Sequence, residues 1–300
     1  MDLRLSDDQQ LLKDTLERFT RNEYNFDTRR KLTDSEDGFS RDIWQSYASL
    51  GLLGIPFAEE DGGIGGGPIE VMIVMEQLGR ALALEPYLPT VVLAGRAIVE
   101  AGSAAQKEQL LGEIIAGEAL WAFAHAEPGA RYDLAHVETR AEGGRLSGHK
   151  AVVHGAVTAD KLVVSARSEA GISLYVVAGE ADGLTLRPYR TIDGLRAAEV
   201  MLDNVAGELL GEDGSALPVI ESVIDRATAA VCAEAVGAMD VLRETTLEYL
   251  QMRKQFGVPI GTFQVLQHRS VEMMGSCEEA RSLTLMATLS LDQDVQARAR

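Results

Sequence analysis

Cysteine is nearly absent from this chain: two residues in 300, Cys232 and Cys277, far apart and set in apolar helical patterns. Two thiols so placed make neither a disulfide framework nor a metal site, and they read as reduced, buried groups of a cytoplasmic protein. Positive charge is also scarce. Lys and Arg number 28 against 46 Asp and Glu, a net charge of -18, and a surface of that sign repels phosphate backbones and anionic membranes. Nucleic acid is excluded as a partner except at a local basic pocket. No run approaches the roughly 20 uninterrupted apolar residues that span a bilayer. The opening MDLRLSDDQQ lacks the basic segment and apolar run of a signal peptide. No nucleophile elbow GxSxG is present, and His125, His136, His149, His154 and His268 lack HExxH spacing or Cys companions, so they read as surface or satisfied core residues and no metal is expected. The glycine run Gly62 to Gly67 follows no strand and precedes no Lys-Ser/Thr, which makes it an interhelical loop rather than a phosphate cradle.

Helical signals are plentiful. Ser6 followed by Gln9 forms a reciprocal capping box, and Leu11, Leu12, Leu16 and Phe19 repeat at helical spacing, so a helix starts near residue 6. A second runs from Arg41 through Leu50 and stops at GLLGIPFAEEDGGIGGG, where glycines and Pro56 end regular structure. Residues 68–85 and 88–117 return to helical periodicity, with a break at Gly102 and Ser103. From Leu120 the texture changes to short β-branched or alternating runs: LWAFAHAE, HVETRAEGG, RLSGHKAVVHGA, KLVVSARS, ISLYVVAGE, LTLRPYR and AEVMLDNV. Gly, Asp and Asn separate them, the pattern of an antiparallel β domain of about seven strands. The helical period then resumes over 217–252 and again from 260 to about 290. The expected fold class is α+β, mostly α, with a helical N-terminal domain (1–119), a middle antiparallel β domain (120–212) and a C-terminal helical bundle domain (213–300).

Three stretches invite a chemical reading. AEED at 58–61 is a solvated loop end. Glu234 lies on a helix face among Ala, Val and Gly, where an ionised carboxylate is costly without a partner. It is a candidate base with a raised pKa, or else an exposed or Arg-paired helical Glu. RKQFGVPIGTFQ at 253–264 is denser in function-bearing groups. Arg253 can fork to a diphosphate, Gln255 can bond a second polar edge, and Phe256 and Phe263 can pack on a flat heterocycle. That set makes either a nucleotide-contact cluster or a helix terminus with two core aromatics.

RKQFGVPIGTFQVLQH resembles the Arg-x-x-Phe-Gly and Phe-Gln-x-x-Gln signature of the acyl-CoA dehydrogenase family. Supporting stretches in family order are LSDDQQLLKDTLERF, GLLGIPFAEEDGGIGGG, AHAEPGARYDL, LSGHKAVVHGAVTADKLVVSAR and AEVMLDNVAGELLGEDG, which together span essentially the whole chain. The resemblance implies the three-part fold above, with subunits pairing through a C-terminal four-helix bundle. It implies FAD between the β domain and the bundle, its adenine-diphosphate half held by the neighbouring subunit. Arg253, Gln255, Phe256, Phe263 and Gln264 match those trans-acting positions, and Phe123, Ala126, Val152 and His154 fall in the cis segments. The implied chemistry is α,β-dehydrogenation of an acyl-CoA thioester. A glutamate takes the alpha proton, the beta hydride goes to FAD, and an electron-transfer flavoprotein receives the electrons.

The departures from the family pattern carry as much weight. Where the family has Thr-Glu-Pro-x-x-Gly-Ser-Asp, this chain has Ala126, Glu127, Pro128, then Arg131 and Tyr132 ahead of Asp133. Trp-Ile-Thr becomes Val152, Val153 and His154, removing an indole and a hydroxyl, so the chain's own flavin pocket is expected to be degraded. One family position for the base is Ala227 here, preceded by Asp225 and Arg226; the other lies past Arg300, where the family normally continues. The bundle is therefore expected to be incomplete at residue 300, and its apolar faces on 217–290 to associate with a partner. These contrasts lead us to expect a counterpart of the small, non-catalytic subunit of heteromeric members such as pimeloyl-CoA dehydrogenase. Such a subunit completes the FAD site of a homologous dehydrogenase subunit. The alternatives are a self-sufficient homomeric FAD enzyme with its base at Glu234 or beyond Arg300, and a flavin-free structural or acyl-CoA-binding subunit. Arg131 either meets a CoA phosphate or blocks the slot, and the acyl chain is left open.

Overall fold

A computed structural model describes residues 4–293. Its helices are α1 (Asp7–Glu23), α2 (Phe26–Thr33), α3 (Arg41–Ser49), α4 (Pro68–Ala81), α5 (Arg96–Ala101), α6 (Ala104–Ile115), α7 (Leu217–Met252) and α8 (Gln264–Ser290). A wide, π-type helical stretch, Leu88–Gly95, leads directly into α5. The strands are β1 (Trp121–Ala124), β2 (Arg140–Glu142), β3 (Arg145–His154), β4 (Lys161–Arg167), β5 (Ile172–Ala178), β6 (Leu184–Arg190), β7 (Arg196–Ala206), β8 (Glu208–Leu210), β9 (Lys254–Gln255) and β10 (Val258–Pro259). The order helical, β, helical is the one expected. The chain packs as two compact units: one from the segments ending at Phe26, Pro68–Ala83 and onward from Thr228, the other from Asp27–Gly67 and Leu84–Ala227.

The first unit is all helical apart from the β9–β10 hairpin. Its α1 begins as the sequence requires: Gln9 N donates to Ser6 Oγ at 3.2 Å and Ser6 N to Gln9 Oε1 at 2.9 Å, satisfying two donors that a helix start leaves open. Helices α4 and α7 touch backbone to backbone. A Cβ added at Gly79 would lie 1.9 Å from the carbonyl oxygen of Glu234, and one at Gly237 the same distance from that of Glu76. Only glycine permits that approach. Charges flank the crossing: Arg80 reaches Glu244 at 2.8 Å and Asp240 at 3.5 Å, while Arg281 of α8 bonds Glu76 at 2.8 Å and also Asp240. Helix α8 buries only Cys277, Thr284 and Thr288 among its residues, and Val265, Val271, Met274, Leu283 and Met286 face outward.

The second unit is organised by one sheet in the order β6-β7-β3-β2-β4-β5-β8, with β1 on β4. Most pairs are antiparallel, as expected, but β1–β4 and β2–β4 run parallel. The reason is topological: the chain leaves β1, forms the β2–β3 hairpin and returns to β4 in the original direction. Leu146, Val153, Leu162, Val164, Val177, Val200, Leu202 and Val205 seal one face. Trp121, fully buried, is pinned where Thr90 Oγ1 and the Trp121 backbone exchange hydrogen bonds of 3.0 and 3.1 Å.

Four local expectations need amendment. α2, which was not expected, carries no buried residue, so no apolar period marks it in the sequence. β8 is an eighth short strand added to the sheet edge against β5. Helix α8 starts at Gln264, after a 3-10 turn Ile260–Thr262, rather than at residue 260. Cys232 is exposed rather than buried, because the helical period turns Ala229, Ala230, Ala233 and Val236 inward and Cys232 outward. No described helix is long and apolar enough to cross a membrane.

Candidate functional site

Where α7 ends, Arg253 N still bonds Tyr249 O at 2.8 Å, and the chain then reverses. β9 and β10 pair Gln255 with Val258 and Lys254 with Pro259, leaving Phe256 and Gly257 as a two-residue turn with φ of +55° and +84°. That is a type I′ hairpin, whose first position normally takes Asn, Asp or Gly. A Phe in the left-handed region costs about 1–2 kcal/mol. The ring gains little within the chain in return: it is 92 % exposed, with one edge-on partner, Phe263, at 6.1 Å. Arg253 and Gln255 are exposed beside it, and Gln255 Nε2 bonds only the carbonyl of Lys254, at 2.9 Å. The Arg253 guanidinium makes no hydrogen bond or ion pair among the described residues. Gln264 opens α8, exposed, one residue after Phe263. The five residues expected to act together thus lie on one hairpin and the helix start that follows it.

The β-unit candidates gather around a different feature, a buried ammonium. Lys150 has no exposed surface, because β3 alternates and its side chain falls in phase with Leu146. Its Nζ donates to Glu127 Oε1 at 2.5 Å, to Ser165 Oγ at 2.9 Å and to the carbonyl of His125 at 3.3 Å. Glu127 also accepts from the backbone of Glu138 at 2.6 Å and Thr139 at 3.0 Å. Burial alone would raise the Glu127 pKa, but the Lys150 bond and charge with these amides hold it below the usual carboxylate value. Burial pushes Lys150 down to about 8 against the pull of Glu127. The carboxylates of Glu127 and Glu138 and the ring of His136 bring three ligand atoms within 4.8 Å of one another, yet Lys150 already supplies the cation there.

Ser165 Oγ accepts from Lys150 and lies 3.1 Å from His125 Nδ1, a second hydrogen bond in which the tautomer of the imidazole sets which group donates. Burial, with Lys150 adding, lowers His125 to about 4, so the ring is neutral. It lies nearly parallel to Phe123, centroids 5.9 Å apart and planes 20° apart.

Ala151 N donates to Ala126 O at 2.8 Å, which brings the two cis segments side by side. Between Lys150 and Val153 the β3–β7 register slips, and Val152 sits in the bulge at φ +52°, half exposed. Glu199 of β7 holds this bulge: Oε2 pairs with His149 Nε2 at 2.8 Å, and Oε1 accepts from Tyr189 OH at 3.2 Å and Val152 N at 3.4 Å. His154 is partly buried and its pKa is lowered by burial, with Asp193 opposing. Arg131 is left-handed at φ +53° and Tyr132 fully exposed beside it.

Ala227 is buried on α7 and offers no titratable group. Glu100 of α5 is already bound by Arg96 at 2.6 Å and by Ser222 of α7 at 2.8 Å, with Arg226 at 3.7 Å. Glu234 is partly buried, its carbonyl pressed against Gly79. Sequence reasoning missed His125, Lys150, Ser165 and Glu199. Only Lys150 left a signal, a charge in the inward phase of an alternating strand.

A fork-shaped guanidinium without a partner among the described residues, with an exposed amide and an exposed aromatic ring beside it, suits the nucleotide half of a dinucleotide such as FAD. The β-unit face suits the flat half poorly: beside His154 it offers the small Ala126, the half-exposed Val152 and a nearly buried Phe123 and His125. Family signatures bear on both observations. Those described as acyl-CoA dehydrogenase N-terminal, middle and C-terminal domains match residues 6–118, 122–205 and 214–300. The chain belongs to the acyl-CoA dehydrogenase family, FAD-dependent oxidoreductases with this three-part fold. Among its relatives is the mitochondrial isovaleryl-CoA dehydrogenase of Arabidopsis thaliana, 29 % identical over 93 % of this chain and 72 % of the relative. Solved structures like it include the Tcur3481-Tcur3483 steroid ACAD, 30 % identical with a TM-score of 0.88, covering 98 % of this chain and 80 % of that one. The ChsE4-ChsE5 complex from Mycobacterium tuberculosis follows at 25 % identity and TM-score 0.89, covering 99 % and 81 %.

Proposed function

We propose that this chain takes part in α,β-dehydrogenation of an acyl-CoA thioester as the subunit that completes the FAD site of a homologous partner. One observation carries the reading: the chain holds Phe256 in a costly left-handed turn and in full exposure, beside an unengaged Arg253. Strain without an internal return is what a residue shaped for another molecule leaves behind. Arg253 would hold a phosphate, Gln255 and Gln264 polar edges, and Phe256 with Phe263 a flat ring. FAD, when bound, supplies a two-electron acceptor for the hydride leaving the thioester. This chain's residues hold and orient the nucleotide, and the base and ring-contact groups belong to the partner, since Ala227 has no acid function. The outward apolar residues of α8 suit such a partner, and two-component names among its structural relatives point the same way. An electron-transfer flavoprotein would reoxidise the complex. The division at 119 and 212 and a cytoplasmic location belong to the same proposal.

The test is flavin absorbance per subunit, measured for the chain alone and after co-expression with a homologous dehydrogenase subunit. Flavin should appear only in the complex, at about one per pair, and Arg253→Ala should reduce it there. One flavin per chain in the isolated protein would overturn the reading and favour the self-sufficient enzyme.

A further inference from the structure

We infer that His125 closes this chain's own β-unit face to a flat heterocycle. The inference rests on the half-site reading and adds to it the residue that makes the division of labour one-sided. Phe123 and His125 are two residues apart on an extended segment and so project to the same side of it, opposite to Ala122 and Ala124, which face the sheet core. Their rings are nearly parallel neighbours with centroids 5.9 Å apart, and the residues are only 7 % and 6 % exposed. A flat ligand that reaches Phe123 along this side must move the imidazole beside it.

That imidazole is held, not loose. Ser165 fixes its Nδ1, Lys150 fixes Ser165 and the His125 carbonyl, and Glu127 with its two backbone donors fixes Lys150. Swinging the ring away breaks the bond to a fully buried serine and leaves both polar groups without that partner. The neighbouring changes agree in direction: Ala126 provides no hydroxyl and Val152 no stacking ring, so neither repays the displacement. The nucleotide-competent groups of the chain are then those of the β9–β10 hairpin, which a partner must supplement.

A gain of binding tests this. The full chain without partner is titrated with FAD, following flavin fluorescence, as wild type and as His125→Ala, His125→Val and His125→Phe. Freeing the Phe123 face in the Ala and Val variants should tighten FAD about tenfold or more, while Phe, which keeps a ring in place, should bind as weakly as wild type. Folded Ala and Val variants that gain nothing would overturn the inference. If both unfold, the wild type still decides: histidine C2 hydrogen exchange by mass spectrometry should be slow at His125 and unchanged by 1 mM FAD, on the order of a metabolite-scale excess. Protection or acceleration there would show that FAD displaces the ring unaided and would overturn it. Failure here leaves the hairpin reading intact, because that is judged by Arg253→Ala in the complex; loss of the hairpin reading leaves the FAD titration of the lone chain unaffected.

Discussion

Replacing Phe256 by Asn should move stability and function in opposite directions. The turn holds φ of +55° at 256 and +84° at Gly257, and Asn-Gly is the preferred pair for that geometry. Left-handed backbone costs a bulky residue about 1–2 kcal/mol, of which Asn relieves roughly half, so the gain is about 0.5–1 kcal/mol. Against it stands the edge contact with Phe263, worth about 0.5 kcal/mol at a solvent-facing site. With the ring 92 % exposed, almost no burial is lost. The isolated chain should therefore be stabilised by up to about 0.5 kcal/mol, a rise of at most roughly 0.2 M in urea midpoint, with slower amide exchange at Gln255 and Val258. In the complex, loss of a stacking ring should weaken flavin binding about ten- to a hundredfold. Phe256→Ala should show the flavin loss without the stability gain, since Ala is also strained there. A Phe256→Asn chain destabilised by 1 kcal/mol or so would mean the ring is packed internally. Unchanged flavin content in the complex would remove the hairpin from the site.

Three further outcomes are expected. Lys150→Met should destabilise the chain by about 3–5 kcal/mol because it strands the Glu127 carboxylate, and Lys150→Met with Glu127→Met should recover most of it; urea melts giving additive losses would refute the coupling. The folded pKa of His125, about 4, lies below its ordinary 6.5, so the folded chain binds fewer protons than the unfolded one between those values. Stability should thus fall as pH drops from 6.5 towards 4, and His125→Leu should flatten that slope; parallel pH profiles of urea midpoint for the two chains would sink the assignment. Gly79→Ala should cost about 1–3 kcal/mol by forcing α4 from α7, and a melting temperature equal to wild type would show the crossing to be looser than drawn.

Much of the fold was legible locally. Ser6 and Gln9 announce a helix start through contacts three residues apart, and the β-branched runs KLVVSAR and ISLYVVA, buried at nearly every position, mark strands by their own composition. α2 was not legible, because a helix that buries nothing leaves no apolar period. The parallel return of β4 onto β1 was not legible either, since pairing direction depends on where the intervening hairpin sends the chain. The candidate site divides the same way. Arg253, Gln255, Phe256, Phe263 and Gln264 stand within twelve consecutive residues, so their grouping is a property of the chain, although the left-handed turn that exposes Phe256 is seen only in three dimensions.

His125, Lys150 and Ser165 are a different case. They come from three separate strand segments, and each has an unremarked place in its own stretch. What makes them a unit is the desolvation of an ammonium that must find its acceptors within reach, and those acceptors are supplied by β4 and by the segment after β1. The sequence by itself therefore determined the order of elements, the scarcity of thiols and positive charge, and the hairpin cluster, because these depend on neighbours along the chain. Which rings lie side by side, which charges are buried together and which side chains stay exposed were decided by the tertiary structure, because burial and hydrogen-bond satisfaction exist only once distant segments meet.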